Sequence, residues 1–347
     1  MAVSNQLTRV IRVSFGIVLT VALFSLLSAI FLSSRSEDIL AADDDLGRAD
    51  RSAPGASGIS LPVREAMAAA GSRFVKSWCV RRTARQEEVE QVIQNMETQE
   101  RSRVFEKIFR EDYWGGGESR SGPGSRKDYT ANVRKLLALA IKTYGVKELL
   151  DSPCGDVNWQ TLTEGFNATT YTGFDIVPDM IRKNEATFQG WPNMKFARVD
   201  FTNTPIDETV RPDLIICRDA IQHNALKDGL RGLANLESTG AKYILTNWHS
   251  PPRPNKDIKF GDFYLIDVFT RPFNFSKPEM FISEGVNGHN SEGKFAGLWK
   301  LPALLKGDGR PFRIPESLVL KARQHVVTSA ELEAELIRLQ RPGGLQA

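Results

Sequence analysis

The segment 149–156, Leu-Leu-Asp-Ser-Pro-Cys-Gly-Asp, limits this chain to few folds when it is read together with Asp175. The pattern predicts a buried strand, a tight turn at Gly155, a helix, and a second strand that ends in the carboxylate of Asp175. In a doubly wound α/β sheet this order brings backbone N–H groups to a ligand and sets an acid, about 20 residues further on, against ribose hydroxyls. The sequence therefore predicts a site for a nucleoside-bearing cofactor at the carboxyl ends of these strands.

The composition of the turn narrows the choice of cofactor. A dinucleotide site needs the spacing G-x-G-x-x-G so that the backbone can approach a pyrophosphate, whereas this turn contains only Gly155. Asp151 and Asp156 flank the turn, and two carboxylates repel phosphate and favour a cation. S-adenosylmethionine (SAM) has a sulfonium and an ammonium group and no phosphate, so the turn suits SAM better than a dinucleotide.

Three motifs carry a resemblance to a known family. The stretch 151–159 reads D-x-P-C-G-D-x-x-W and resembles the first motif of class I SAM-dependent methyltransferases. Upstream, 114–125 is similar to the W-G-x-x-E-S-x-S-G-x-G-S opening of a largely uncharacterised bacterial and algal clade, and downstream 213–223 resembles its fourth motif, C-R-D-x-x-x-H. The resemblance covers about 105–301. It implies a Rossmann-like, doubly wound, seven-stranded α/β sheet and SAM as cofactor, but no particular acceptor.

Composition excludes several other classes of protein. The chain has 347 residues, of which 41% are hydrophobic, and this is ample for a folded core. Its 45 basic and 42 acidic residues give a net charge of +3, so we expect no nucleic-acid partner. Cys79, Cys154 and Cys217 match no metal or redox spacing, and we expect Cys154 and Cys217 to be separate buried thiols rather than a lumenal disulfide. The spacing of histidines and acids predicts no metal site, although a magnesium ion on Asp219 stays open.

The N-terminal region predicts a membrane anchor. The uncharged apolar run 13–32 would, at about 1.5 Å per residue, cross the roughly 30 Å of a hydrocarbon core. Arg9 and Arg12 precede the run and mostly acidic residues follow it, so the positive-inside rule leaves the N-terminus in the cytosol. We expect a cytosolic tail at 1–9, an uncleaved signal anchor at 10–32 and a flexible Ser/Ala/Gly/Asp-rich stem at 33–75. A cleaved signal peptide is the alternative.

These features predict a type II membrane protein of the Golgi or another secretory compartment, with a lumenal catalytic domain. Sequons at Asn167 and Asn274 would be accessible to glycosylation there. A helical extension with a Gly-rich loop is expected at 76–128, and the helical part is expected to pack as a lid. The loop either closes over the cofactor or only connects. The methyltransferase domain is expected at 129–302, followed by a tail at 303–347 with a helix from Ser329 to Leu339.

Apolar runs predict the strands of that domain at 147–151, 171–175, 194–199, 214–217 and 243–246, with a closing hairpin of 280–283 and 295–300. Helices are expected at 129–144, 177–188 and 220–236. Because ligands bind beyond the carboxyl ends of such strands, residues directly after each strand are the candidates for the site.

The resemblance and this placement predict twelve cofactor-binding residues. Asp151, Gly155 and Asp156 would surround the methionine part of SAM, with helix capping as the alternative role of Asp156. Asp175 would accept both ribose hydroxyls, and Asp200 would contact the adenine amine or merely form a turn. The full predicted set is Asp151, Pro153, Cys154, Gly155, Asp156, Trp159, Asp175, Ile176, Asp200, Phe201, Cys217 and Arg218.

Three residues are candidates for catalysis. Asp219 and His223 lie four apart, so a helix that began at Asp219 would carry both on one face, where one could orient or activate an acceptor. The alternative is that Asp219 caps the helix and His223 is merely exposed. His249, which follows the fifth strand, is a second candidate base. Trp191 and Trp248 either stack on a sugar or pack in the core.

These predictions favour a membrane-anchored SAM-dependent O-methyltransferase that acts on a glycan or another secretory-pathway hydroxyl. Small-molecule, lipid and protein acceptors and N-methylation stay open. A membrane-tethered SAM-binding or scaffold protein without turnover is the alternative from another class. A nicotinamide dehydrogenase is disfavoured by the missing glycines.

Overall fold

The computed structural model describes residues 88–115, 117–285, 293–323 and 328–341. All of them fall within the second of the two units, 1–76 and 77–347, into which the chain divides. The predicted tail, signal anchor and stem at 1–75 lie outside the described residues. Within the described ranges, no helix is long and apolar enough to cross a membrane.

A seven-stranded sheet forms the centre of the described chain. Its strands are β1 (Glu148–Asp151), β2 (Thr170–Asp175), β3 (Met194–Arg198), β4 (Leu214–Ile216), β5 (Tyr243–His249), β6 (Met280–Ser283) and β7 (Lys294–Lys300), in the order β3-β2-β1-β4-β5-β7-β6. The first five strands are parallel, and β7 pairs antiparallel with both β5 and β6. The sheet therefore confirms the predicted Rossmann-like α/β fold and its closing hairpin.

The strands are apolar because both faces of the sheet are covered, as is usual for parallel strands. Adjacent residues Leu149 and Leu150 are both buried and belong to separate hydrophobic clusters on opposite faces. The cluster with Leu149 contains the buried face of α2 (Ala131–Tyr144), and the cluster with Leu150 contains that of α4 (Leu226–Ser238). A third helix, α3 (Pro178–Thr187), follows β2.

The C-terminal tail completes one of these clusters. A short hairpin of β8 (Leu304–Leu305) and β9 (Pro311–Phe312) leads to α5 (Glu316–Arg323) and α6 (Ser329–Gln340). Leu332 and Leu336 of α6 are fully buried in the cluster that contains α4. The structure confirms the helix predicted from Ser329, and it shows that the tail packs on the core of the sheet domain.

The segment between β1 and β2 differs from the prediction. In place of a helix after the turn, the chain forms two 3₁₀ turns, Gln160–Leu162 and Phe166–Ala168. Gly155, Val157 and Gly165 all have positive φ angles (58°, 52° and 82°), which interrupt any continuous helix in this short segment. Asp156 therefore caps no α-helix.

The helix predicted at 220–236 begins later than expected. Asp219 has a φ of 54°, residues Ile221–His223 form a 3₁₀ turn, and α4 begins only at Leu226. The carboxylate of Asp257 accepts the Leu226 N–H at 2.9 Å, so a residue from another loop satisfies the start of this helix. Asp219 and His223 thus do not share a helix face.

A further helix, α1, is described over 88–111 and lies against the carboxyl ends of the sheet. Its Phe105 and Phe109 pack on Ile176, Val177 and Met180, and Ser102 Oγ donates to the Ile176 carbonyl at 3.2 Å. α1 therefore packs as a cover on the sheet domain, as expected of the predicted helical extension; the bounds of that extension stay a prediction.

Candidate functional site

A cavity opens at the carboxyl ends of β1, β2, β3 and β4, beneath α1. The empty space within it, including the open solvent at its mouth, is ≈ 950 Å³. Ten of the twelve predicted cofactor-binding residues line it: Asp151, Pro153, Cys154, Gly155, Trp159, Asp175, Ile176, Asp200, Phe201 and Arg218. Asp219 and His223 also line it, whereas Asp156, Cys217 and His249 are not among its described lining residues.

Asp175 is fixed at the end of β2 by the backbone. One carboxylate oxygen accepts the Gly155 N–H at 3.1 Å and the other accepts the Val177 N–H at 3.0 Å. Each oxygen keeps a second lone pair, so the carboxylate still has the capacity for two adjacent donors. Burial raises the pKa of Asp175 to about 6, so the carboxylate is ionised at neutral pH.

Asp151 lies deeper at the end of β1. Gln160 Nε2 and the Tyr171 hydroxyl each donate to the same carboxylate oxygen at 2.7 Å. Burial raises the pKa of Asp151 to about 7, and the two hydrogen bonds offset only part of this effect. A buried carboxylate near its midpoint at neutral pH is a favourable place for a cationic ligand, which would stabilise the ionised form.

The Gly-rich loop upstream of α2 forms one wall of the site. Asp156 accepts hydrogen bonds from the Ser119 hydroxyl (2.9 Å), the Arg120 N–H (2.8 Å) and the Ser121 hydroxyl (3.2 Å). A Cβ on Gly155 would overlap Ser121 Oγ, so only glycine lets the two loops meet. Asp156 therefore holds the loop against the turn. A direct contact of Asp156 with cofactor stays a prediction.

Asp200 is occupied by protein donors. One of its oxygens accepts from Thr98 Oγ1 at 2.9 Å and Arg101 Nη1 at 2.8 Å, and the other accepts from the Thr202 N–H and hydroxyl. These four bonds use the ordinary capacity of a carboxylate. The predicted contact of Asp200 with an adenine amine is untested, and it would have to displace one of these donors.

A buried charge network borders the cavity beyond β4. Arg218 binds Glu284 in a bidentate pair (3.2 and 2.5 Å) and Asp219 at 2.9 Å, and Lys294 binds Asp219 at 2.6 Å. Burial alone would raise the pKa of Asp219, but the cations of Arg218 and Lys294 outweigh it and hold this pKa well below its usual range. Asp219 is therefore a weak base, and its structural part is to pair with these cations.

His223 has the geometry of a general base. Its Nδ1 lies 2.9 Å from the Asp262 carbonyl, which can only accept, so Nδ1 carries the proton and the lone pair of the neutral ring is on Nε2. Burial lowers the pKa of His223, which keeps the ring neutral at physiological pH. Trp114 stacks on the ring with centroids 4.7 Å apart, and Phe263 lies 5.6 Å away.

His249, Trp191 and Trp248 are not among the described residues that line the cavity. His249 is 1% exposed at the end of β5, with Nδ1 3.4 Å from the Ile266 carbonyl. Cys154 and Cys217 are buried free thiols, which confirms that they form no disulfide with each other. Trp248 stacks on Phe295 at 5.2 Å, and Trp191 packs edge-on against Phe188 at 6.0 Å. The tryptophan that packs beside His223 is therefore Trp114, rather than Trp191 or Trp248.

Sequence reasoning missed Arg101, Glu284 and Lys294. Arg101 falls on the apolar stripe of α1 with Phe105 and Ile108, where a charge signals a buried ion pair. Glu284 and Lys294 lie at the two ends of the loop between β6 and β7, and their opposite charges could have indicated an ion pair across the hairpin. Within the described ranges, no cluster of three or more His, Cys, Asp or Glu side chains is suited to hold a metal ion.

Comparison with known proteins gives similarity in fold. No family model and no curated protein matches the chain. Two structures of the methyltransferase domain of bacterial CtHen1 are each 12% identical to it; they cover 35% and 50% of this chain and 66% and 100% of those chains, with TM-scores of 0.32 and 0.39. The N-methyltransferase NodS from Bradyrhizobium japonicum WM9, solved with S-adenosylhomocysteine, is 14% identical over 58% of this chain and 98% of its own, with a TM-score of 0.42. Similarity at this level concerns the fold alone.

The raised pKa of Asp151 generates a test of apo stability. Because the folded pKa of about 7 exceeds the usual unfolded value near 3.9, the contribution of this group to stability is present at low pH and is lost as pH rises through 7. Asn keeps an oxygen to accept from Gln160 and Tyr171 but cannot ionise. We expect Asp151→Asn to gain stability relative to wild type between pH 5 and pH 8, by up to roughly 3 kcal/mol.

Urea unfolding of both proteins at pH 5, 6, 7 and 8 measures this difference. A gap that stays constant with pH would show that Asp151 titrates in its ordinary range. Asp213→Asn is the control: hydrogen bonds and Lys242 outweigh partial burial and lower the pKa of Asp213, so this group is ionised in both the folded and the unfolded state from pH 5 to pH 8, and the gap between Asp213→Asn and wild type should stay constant.

Proposed function

We propose that this chain is a SAM-dependent methyltransferase. The observation that carries the proposal is Asp175, which ends β2 with one acceptor position left on each carboxylate oxygen, as a ribose diol requires. The adjoining turn contains Gly155 but not the further glycines that a pyrophosphate site needs. A ligand with a nucleoside, a positive charge and no phosphate fits this combination.

The residues present fit each part of SAM. The turn from Asp151 to Gly155 would surround the methionine part, with the Asp151 carboxylate favouring its positive charge. Asp175 would accept the ribose hydroxyls. Ile176 and Phe201, both buried at the cavity wall, would border the adenine. Arg218 has one N–H beyond its bonds to Glu284, Asp219 and the Gly124 carbonyl, and this N–H would suit the carboxylate of SAM.

His223 is the residue that we assign to proton transfer. When bound, SAM would supply a methyl group on a sulfonium, and in-line attack by the acceptor oxygen would form the O–CH₃ bond while the S–CH₃ bond breaks and leaves the thioether of S-adenosylhomocysteine. As the new O–CH₃ bond forms, the hydroxyl proton passes to Nε2 of His223, whose Nδ1–H stays bound to the Asp262 carbonyl. Trp114 packs against the imidazole ring of His223 and fixes its plane, and the indole suits a sugar ring or a flat acceptor.

We further propose that the acceptor is a glycan or another hydroxyl of the secretory pathway, in the lumen of the Golgi or a neighbouring compartment. The support comes from the sequence: the apolar run at 13–32, the arginines before it, the acids after it and the stem at 33–75. Trp114 beside His223 is consistent with a sugar acceptor, since aromatic faces pack against the apolar faces of sugar rings.

Loss of the Asp175 carboxylate tests the cofactor. We expect wild-type protein to bind SAM and S-adenosylhomocysteine at micromolar Kd and Asp175→Ala to bind both about 100-fold more weakly, because two charged hydrogen bonds are lost. Asp213→Ala is the matched control: Asp213 also accepts two backbone N–H groups, from Lys147 and Glu148, but before β4 and away from the cavity. Isothermal titration measures all three; a wild type that is folded but binds neither ligand would refute the proposal.

Replacement of His223 tests the catalytic assignment. Gln cannot take the proton, so we expect His223→Gln to lower kcat about 10²- to 10⁴-fold and to leave the Kd of S-adenosylhomocysteine nearly unchanged. The wild-type kcat should fall on the acid side with an apparent pKa below about 6.5, since burial lowers the pKa of this histidine. Transfer of labelled methyl to secretory glycans is the assay. If His249→Gln abolished turnover instead, with folding intact, His249 would be the base.

Protease protection tests the proposed topology. In sealed microsomes that contain the full-length protein, we expect added protease to leave residues 88–341 intact until detergent opens the membrane. The measurement is an immunoblot against a C-terminal epitope, with a lumenal protein as control. Digestion without detergent would place this part of the chain in the cytosol and remove the case for a lumenal glycan.

A further inference from the structure

Two residues of the cavity each keep one buried polar atom without a hydrogen-bond partner among the described residues. These atoms are Nε of Arg101, a donor, and Oδ1 of Asn224, an acceptor. Arg101 is 2% exposed and Asn224 is 3% exposed, and both side chains line the cavity. Because buried polar groups are normally paired, a donor and an acceptor left over in one cavity indicate a ligand that offers the complementary pair.

The neighbours of Arg101 fix its guanidinium group. Nη1 binds Asp200 at 2.8 Å and Nη2 binds Asp228 at 2.7 Å, while the group lies 5.1 Å from the centroid of the Phe260 ring. Both ion pairs are buried, so rotation of the group would strand two carboxylates. Nε therefore stays in place as the nitrogen of this group whose N–H has no partner among the described residues.

The amide of Asn224 is oriented by a carbonyl. Its Nδ2 donates to the Ala220 carbonyl at 2.9 Å, and a carbonyl can only accept, so the other amide atom is the oxygen. Asn224 lies just before α4, and Ala220 also lines the cavity. Oδ1 is therefore an acceptor whose identity does not depend on an arbitrary choice of amide orientation.

We propose that Asn224 and Arg101 select the adenine ring of the cofactor. Adenine presents a 6-amino donor flanked by ring-nitrogen acceptors. Asn224 Oδ1 accepts from the 6-amino group, and Arg101 Nε–H donates to a neighbouring ring nitrogen. Asp200, whose oxygens are fully used, acts as a positioning residue for Arg101. A 6-oxopurine would set its oxygen against Oδ1 and is excluded. The inference rests on the proposed function.

The test compares S-adenosylhomocysteine with S-inosylhomocysteine, which has a 6-oxo group in place of the amine. Isothermal titration on the full-length protein in detergent gives both Kd values. We expect wild type to prefer the adenosyl ligand by at least about 30-fold, because sites with buried polar groups reject analogues that leave them unpaired. We expect Asn224→Leu and Arg101→Lys to reduce this preference to about 3-fold or less through weaker adenosyl binding.

Arg231→Lys is the matched control. Arg231 is 1% exposed and binds the same Asp228, at 2.5 Å, but it is not among the described residues that line the cavity. This variant should keep the wild-type preference. Arg101→Lys keeps a cation beside Asp200 and Asp228 but replaces the guanidinium fork by one ammonium group as well as removing the Nε donor. Arg231→Lys makes the same exchange beside Asp228 but outside the cavity lining, so a loss of preference in Arg101→Lys alone decides the question even if Asn224→Leu fails to fold.

Three outcomes would overturn the inference, and they separate it from the proposed function. Equal affinity of wild type for both ligands would refute the adenine selection and leave SAM binding intact. A preference that survives in both Asn224→Leu and Arg101→Lys would assign the selection to other residues. A folded wild type that binds neither ligand would remove the inference together with the function on which it rests.

Discussion

The ion pairs of Arg101 join the elements that enclose the cavity. Arg101 extends from α1 and binds Asp200 after β3 and Asp228 in α4, so one side chain ties the N-terminal helix to two elements of the sheet domain. Such pairs gain little net stability over apolar packing, but removal of one partner strands buried charges at a cost of about 3–5 kcal/mol. The ion pairs therefore hold these three elements together only while Arg101, Asp200 and Asp228 are all present. With α1 in place, the cavity is closed on the side where Phe105 and Phe109 pack on Ile176.

The carboxylates around the cavity divide into two electrostatic environments. In the described part of the chain, no buried cation donates a hydrogen bond to Asp151 or Asp175, and burial raises the pKa of both. Asp219 is paired with Arg218 and Lys294, and its pKa is strongly lowered. A positively charged ligand would stabilise the ionised forms of Asp151 and Asp175, whereas Asp219 already has Arg218 and Lys294 as counter-ions. This division agrees with the proposal that a positively charged cofactor binds between the ends of β1 and β2 and that the acceptor binds near Asp219 and His223.

The sequence predicted the sheet and most of the cavity because both depend on local signals. Fully buried strands such as Leu214–Ile216 give continuous apolar runs, and the fold requires ligand residues directly after them. The helix after β1 was predicted wrongly because side chains distant in sequence shape that segment: Asn158 Nδ2 binds Glu118 and the Ser125 carbonyl, and Gln160 binds Asp151. The same limitation applies to Asp200, whose partners Thr98 and Arg101 lie about a hundred positions away. The sequence around Asp200 contains no pattern which indicates that distant residues already donate hydrogen bonds to its carboxylate oxygens.

These long-range contacts also bear on where the functional unit begins and ends. The predicted domain, 129–302, contains Asp175 and His223, but Arg101, Trp114 and Ser121 precede it, and Leu332 and Leu336 of the core follow it. A fragment cut at those limits would leave Asp228 without Arg101, His223 without its stacking partner Trp114, and the cluster around α4 open to water. The first loss would remove an ion pair that encloses the cavity, the second would free the ring of His223, and the third would expose part of the hydrophobic core. The loop and helices outside the sheet domain are therefore part of the proposed functional unit, since they supply a wall of the cavity and hold its polar side chains in position.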